Sequence, residues 1–173
     1  VPYKTILEYA TAYKIDLIIM GAHGMSESTQ LFIGSTAQKV MRDATCLVLS
    51  VKKNFKPLSL NRILFASDFA EEGARKSIKA VCDFAEDMEA RVDFAFINTP
   101  AEFTDSTTIE QRIKKLQGII NPKKHKLFIQ NDFYKDQGII NISNKIKTNI
   151  LALATHNRKY KKNYQIGIAE TML

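Results

Sequence analysis

Residues Asp16 to Val40 read DLIIMGAHGMSESTQLFIGSTAQKV. An apolar run stops at Gly21, a second glycine follows at Gly24, and Gly34-Ser35-Thr36 leads into Ala37, Val40 and Met41 at helical spacing. A continuous apolar run of this kind suits a strand covered on both faces. Gly21 and Gly24 let the backbone turn sharply and approach a ligand with no Cβ in the way. Gly34, Ser35 and Thr36 put free backbone N–H groups and two hydroxyls at a helix N-terminus, where the dipole favours anions. The stretch therefore suits phosphate at the carboxyl end of a parallel strand. It is not a Walker loop, since no Gly-Lys-Ser/Thr follows, and it is not the dinucleotide GxGxxG.

On either side of this stretch helices and strands alternate. Pro2 fits the first turn of a helix that carries Ile6, Ala10 and Tyr13 on one face. Cys46–Val51 reads as a second buried strand, and Asn54–Asn61, with Pro57, as a linker. The pattern then restarts. Ile63–Ala66 is a strand ending at Ser67-Asp68, followed by a helix with Ala74, Ile78, Val81, Ala85 and Met88 on its apolar face. Arg91–Asn98 alternates as a strand, Thr108–Ile119 is helical, and Lys126–Ile129 is a strand. Ile139, Ile140, Ser143 and Ile146 mark a helix, Ile150–Leu153 a strand, and Ile168–Leu173 the beginning of a last helix. Such alternation predicts parallel βαβ units in an α/β, doubly wound parallel sheet with helices on both faces.

The chain also repeats itself. A shift of about 133 positions lays Ile6-Leu7 on Ile139-Ile140 and Asp16-Leu17-Ile18 on Asn149-Ile150-Leu151. The same shift lays Gly21-Ala22-His23-Gly24 on Ala154-Thr155-His156-Asn157, and Gly34 on Gly167. A register held without a gap through a loop indicates duplication. The expected organisation is the C-terminal part of a first module over residues 1–53, a linker over 54–61, and a second module over 62–173 that lacks its last strand. Both modules are then incomplete.

Composition narrows the classes. Among 173 residues, 45% are apolar and 25% charged, ordinary for a soluble globular protein. No apolar run approaches the roughly 20 residues that cross a bilayer, and VPYKTILEYA is not a signal peptide. The formal charge of +7 is spread out, with small clusters at Pro122–Lys126 and Arg158–Lys162. Neither has the aromatic interleaving of a nucleic-acid reader, so solvated loops account for them. Cys46 and Cys82 show no CxxC and no metal-ligand spacing, which fits two reduced cysteines in a cytoplasmic protein.

The full spacing Gly21-x2-Gly24-x9-Gly34-Ser35, after Asp-Leu-Ile-Ile-Met and before Ala37-Gln38-Lys39-Val40, closely resembles the ATP-binding signature of the universal stress protein family. The restart Arg62-Ile63-Leu64-Phe65-Ala66-Ser67-Asp68-Phe69 resembles that family's first strand, whose terminal aspartate contacts the nucleoside end of ATP. The resemblance runs over essentially the whole chain. It implies a Rossmann-like fold of the adenine nucleotide alpha hydrolase type, in two tandem modules, and the binding of ATP, Mg-ATP, ADP or AMP. Its loop roles fall on Gly21, Gly24, Gly34 and Ser35, with Thr36 adding an N–H. It also implies inter-module or homodimer pairing through the strand at Leu47–Leu49.

The second module departs from the signature. Ala154 and Asn157 replace both turn glycines, and Ile168 stands where the hydroxyl belongs, so no nucleotide is expected there. His23 lies within the first loop, a candidate for phosphate contact or for a base with a solvent-facing histidine as the stronger reading, and no positioned Ser or Cys nucleophile accompanies it. Asp68 has a second reading as the N-cap of the helix through Ala74, and Glu71-Glu72 as first-turn dipole matching. The reading is thus a cytoplasmic, nucleotide-binding protein with a regulatory or protective role in stress, with no catalytic residue and no metal site. A slow nucleotide hydrolase and a purely structural dimerisation module are the rivals. Since the first module's own aspartate is expected before Val1, this chain is expected to bind ATP weakly or not at all. The exception would be a permuted assembly that unites Asp68 with Gly21 and Gly34.

Overall fold

Helix α1 (Pro2–Ala12) begins at a proline, whose fixed φ and missing N–H suit a first turn. It ends where Lys14 takes a left-handed φ of 50° and the Ile15 N–H reaches back to Ala10 O at 2.9 Å. That reversal feeds strand β1 (Leu17–Gly21). Helix α2 (Ser35–Asp43) buries Ala37 and Val40, and strand β2 (Leu47–Val51) then pairs parallel with β1, from Leu17 opposite Leu47 to Gly21 opposite Val51. The computed structural model describes residues 2–22, 34–51, 60–70, 72–116, 118–119 and 125–154. The chain forms two compact units with their boundary between Lys56 and Pro57, and these four elements belong to the first.

The second unit, to Ala154, holds strand β3 (Arg62–Ala66), helix α3 (Glu72–Asp87), strand β4 (Arg91–Asn98) and helix α4 (Ser106–Lys114). Strand β5 (Leu127–Asn131), helix α5 (Lys135–Ile146) and strand β6 (Ile150–Leu153) complete it. All its strand pairs are parallel, in the order β5-β4-β3-β6. The chain steps one way through β3, β4 and β5 and then returns past β3 to β6. With right-handed crossovers, that reversal puts α5 on the face opposite α3 and α4. The doubly wound α/β expectation is therefore correct, and the reversal sets a topological switch point between β3 and β6.

Burial on the sheet differs from the sequence pattern in both units. Arg91–Asn98 alternates in sequence, yet every residue from Val92 to Asn98 is buried, because β4 lies between β3 and β5 with helices on both faces. Asp93 is fully buried there, held by Arg62 at 2.7 Å and Arg91 at 2.9 Å and accepting from the Lys126 N–H at 3.2 Å. In the first unit the reverse holds. Ile19 on β1 is 63% exposed, and Leu47–Leu49 on β2 are half-buried rather than buried, since each strand pairs only with the other among the described residues.

Element ends also shift. Tyr13 and Met88 fall past the ends of α1 and α3 and are exposed, and α4 stops at Lys114 rather than Ile119. On α5 the core positions are Gly138, Ile139, Ile142 and Ile146 rather than Ile140 and Ser143. Most of the expected linker, and the helix expected from Ile168, lie outside the described residues.

Candidate functional site

The first unit's candidate site forms where β1 gives way to α2. The β1–β2 ladder continues one residue past the strand, with the Ala22 N–H donating to Val51 O at 2.9 Å. The Gly34 N–H then donates to Ala22 O at 2.8 Å, which holds the first turn of α2 at the carboxyl end of β1. Ala22 is buried beneath that closure. Gly34 is the N-cap residue of α2 with φ −57° and ψ 141°, and no side chain caps the helix. The Ser35 and Thr36 N–H groups therefore have no acceptor within the helix, the arrangement that suits a phosphate oxygen. Ser35 is exposed and Thr36 half-buried.

Gly21 plays a different part from the sharp turn expected of it. It is the last residue of β1, paired with Val51, and no glycine among the described residues has a positive φ. The ladder carries the chain straight through it, with no turn at this residue. His23 and Gly24 lie outside the described residues.

Asp68 stands in the second unit, just past β3. Across the switch point Ala66, at the end of β3, pairs with Leu153, at the end of β6, and Ala154 follows directly after that strand. Asp68 is not the N-cap of α3, which begins at Glu72. Its Oδ1 accepts from the Ala70 N–H at 3.1 Å, Ser67 Oγ accepts from the Phe69 N–H at 3.1 Å, and Arg112 Nη1 donates to Asp68 O at 3.0 Å. Between them Phe69 is buried with a φ of 54°, uncommon for a bulky residue. This tight turn leaves the Asp68 side chain exposed at the carboxyl end of the sheet. Nothing in the sequence marks Phe69 as left-handed.

Cys46 and Cys82 carry free thiols, and burial pushes both above the usual thiol range, the opposite of an activated nucleophile. No cluster of three or more potential metal ligands occurs among the described residues. No helix among the described residues is long and apolar enough to cross a membrane.

The glycine loop sits in a segment that matches known proteins. The family model described as "Universal stress protein family" matches residues 1–52. Over residues 1–52 the chain is similar to the universal stress protein family. This universal stress protein segment is 43% identical over 53 residues to a universal stress protein of Methanocaldococcus jannaschii, 31% of each chain. It is 45% identical over 51 residues to one of Thermus aquaticus, covering 30% of this chain and 37% of that one. The matched segment spans about a third of the length of these relatives.

Solved structures extend the likeness of fold beyond the universal stress protein segment. A universal stress protein from Archaeoglobus fulgidus aligns with a TM-score of 0.66 at 17% identity, covering 92% of this chain and 56% of that one. A Pseudomonas aeruginosa protein of unknown function aligns with a TM-score of 0.70 at 19% identity, covering 98% and 63%. The chain spans less than two thirds of either, and at such identities the likeness concerns the fold alone.

Proposed function

We propose that this chain is part of a tandem universal stress protein that binds an adenine nucleotide, ATP or a relative, in a regulatory or protective stress response, with no turnover required. The observation that carries this reading is the Gly34–Ala22 closure, which presents uncapped first-turn N–H groups at the end of β1 inside the universal stress protein segment. The residues fit the group: Gly34 has no Cβ to occupy phosphate space, and Ser35 and Thr36 supply donors. His23 and Gly24 join this proposal from the sequence pattern alone. Asp68 belongs, on this reading, to the second unit's own crevice, where Ala154 puts a methyl group in the place of the first turn glycine.

The tandem arrangement is supported by the repeat. Helix α1 and strand β1, moved by 133 positions, fall on α5 and β6 with the same first residues. Both β1 in the first unit and β6 in the second follow the same left-handed helix end. We further propose that β2, whose second edge has no strand partner among the described residues, is where modules or two copies of the chain pair.

Thermal-shift titration with ATP tests the reading, because a ligand that binds only the native state raises the melting temperature. The stabilisation of this chain is expected to be weak, and what there is should be removed by Gly34→Val and left intact by Asp68→Ala. Loss of binding with Asp68→Ala would join the two units' residues in one site and overturn the assignment. Phosphate release measured alongside separates binding from slow hydrolysis.

A further inference from the structure

A cleft of about 440 Å³ opens at the carboxyl ends of β4 and β5, on the side of β4 away from the switch point, and it owes nothing to the nucleotide reading. One wall is the segment after β4, with Phe103; the other is the segment after β5, with Asp132 and Phe133. An ion pair between Lys135 and Glu102 ties the two walls together, and the Asp132 N–H donates to Asn98 O at 2.9 Å beneath it. The volume lies within the range of small-molecule sites, which are mostly apolar with a few placed polar groups.

Three features of the lining share one electrostatic sign. Phe103 is 71% and Phe133 79% exposed, and neither ring stacks on another aromatic among the described residues. An aromatic ring presents a negative face, and such faces attract organic cations. Asp132 adds a carboxylate whose oxygens accept from the Phe133 N–H at 2.8 Å and from Asn141 Nδ2 at 3.0 Å. Both bonds come from neutral donors, so they orient the carboxylate without cancelling its charge. No ion pair reaches Asp132 among the described residues, and Lys135, three residues further on, is matched by Glu102. The lining itself holds no Lys or Arg.

The geometry points to a binding site for a small organic ammonium ion, seated against Phe103 and Phe133 with its charge toward Asp132. An anionic or phosphorylated ligand is disfavoured there by Asp132 and Glu102. A neutral apolar ligand would gain from the rings alone and would be indifferent to the carboxylate. The cleft lies in the second unit, so its occupation does not depend on the Gly21–Thr36 loop.

The test is a calorimetric and NMR titration of the full chain with choline, set against 3,3-dimethyl-1-butanol, its uncharged isostere. Choline is expected to bind saturably and the isostere several-fold more weakly. Phe103→Ala and Phe133→Ala should each weaken choline binding about three- to tenfold, in line with exposed cation–π contacts. Asp132→Asn, nearly isosteric, should do the same while leaving binding of the uncharged isostere unchanged. Unaltered circular dichroism and melting temperature confirm that the variants fold, and both phenylalanines are exposed enough for truncation to spare the core. Equal affinity for choline and its isostere, choline binding indifferent to Asp132→Asn, or no saturable choline binding would each overturn the proposal. ATP titrated into Phe103→Ala keeps the two sites apart: its binding should match that of the unmodified chain.

Discussion

Lys14 and Lys147 stand 133 positions apart and share one conformation, with φ of 50° and 55°. In each case the next residue reaches back over the helix end, Ile15 N–H to Ala10 O and Thr148 N–H to Ser143 O, both at 2.9 Å. Three residues after each lysine a parallel strand begins, β1 at Leu17 and β6 at Ile150. The repeat in the sequence is thus a repeat of hydrogen bonds, down to a left-handed residue that is glycine at neither place. Glu89 closes α3 in the same manner, with φ 51° and the Ala90 N–H on Ala85 O at 2.7 Å. Helices α1, α3 and α5 thus share one cap for turning into the next strand.

Gly34 offers a clean steric probe of the phosphate loop. Its φ of −57° and ψ of 141° are open to any L residue, so valine adds bulk without backbone strain. Gly34→Val is expected to abolish ATP binding by calorimetry while the melting temperature of the free protein changes little. The same change at Gly167, in the second copy of the loop, is expected to leave binding unaltered. Equal losses from both would show that the second loop also binds.

Pairing through β2 predicts a charge-sensitive association. Leu49→Lys places an ammonium group on the strand whose outer edge is free among the described residues. A dimer held there should dissociate at lower dilution, as read by sedimentation equilibrium. A dimer whose constant is indifferent to this change uses another surface.

Gly138 is the opposite of a permissive helix glycine. A Cβ built there lies 2.7 Å from Ile97 Cγ2, closer than real Cβ atoms come, and 3.1 Å from Asp132 Cβ, tighter than most contacts. Alanine would gain about 0.5–1 kcal/mol of helix propensity. Overpacking against a buried strand costs about 1–3 kcal/mol, and it should win. Gly138→Ala is expected to lower the midpoint of urea unfolding, and an unchanged or raised midpoint would show that α5 can retreat from β4.

Asp93 pins the amino-terminal ends of β3 and β4. Removing a fully buried carboxylate that holds two guanidinium groups leaves them short of partners, at a cost of up to about 3–5 kcal/mol when the charges are buried. The Arg62 and Arg91 side chains are 28% and 41% exposed, so water softens the loss. Asp93→Ala should therefore destabilise toward the lower end of that range in denaturant titration. It lies in the second unit and the phosphate loop in the first, so the affinity of the folded protein for ATP should stay the same.

Asp105 predicts a local pH dependence. It is the N-cap of α4, accepting from the Thr108 N–H at 2.9 Å, and its side-chain bond with Thr108 lowers its carboxyl below the usual value. A group lowered on folding stabilises above its unfolded value and loses that contribution as pH falls through its folded one. The protection of the Thr108 amide, its exchange rate relative to the intrinsic rate at each pH, should fall on acidification through and below the normal carboxylate range. Asp105→Asn, which keeps an acceptor but cannot titrate, should flatten that response.

The order of elements was legible in the sequence because it rests on local physics. Continuous apolar runs such as Leu17–Met20, and the 3.6-residue recurrence of Ala74, Ile78, Val81 and Ala85, state a segment's own conformational preference. The repeat, the loop between Gly21 and Gly34, and Asp68 at the end of a strand were visible for the same reason. What a residue meets after folding is a different matter. Gly138 and Thr5 hold the same place in the repeat, yet Gly138 is buried against Ile97 and Thr5 is exposed. The alternating residues of Arg91–Asn98 became a strand buried from Val92 onward, and the unbroken apolar run of β1 left Ile19 exposed, because strands far away in the chain decide which faces are covered. Ala66, two residues before Asp68, came to stand beside Leu153 by the β3–β6 pairing, across 87 positions of chain. Periodicity records the conformation a segment prefers; neighbours across the sheet are chosen by packing, which only the assembled tertiary structure determines.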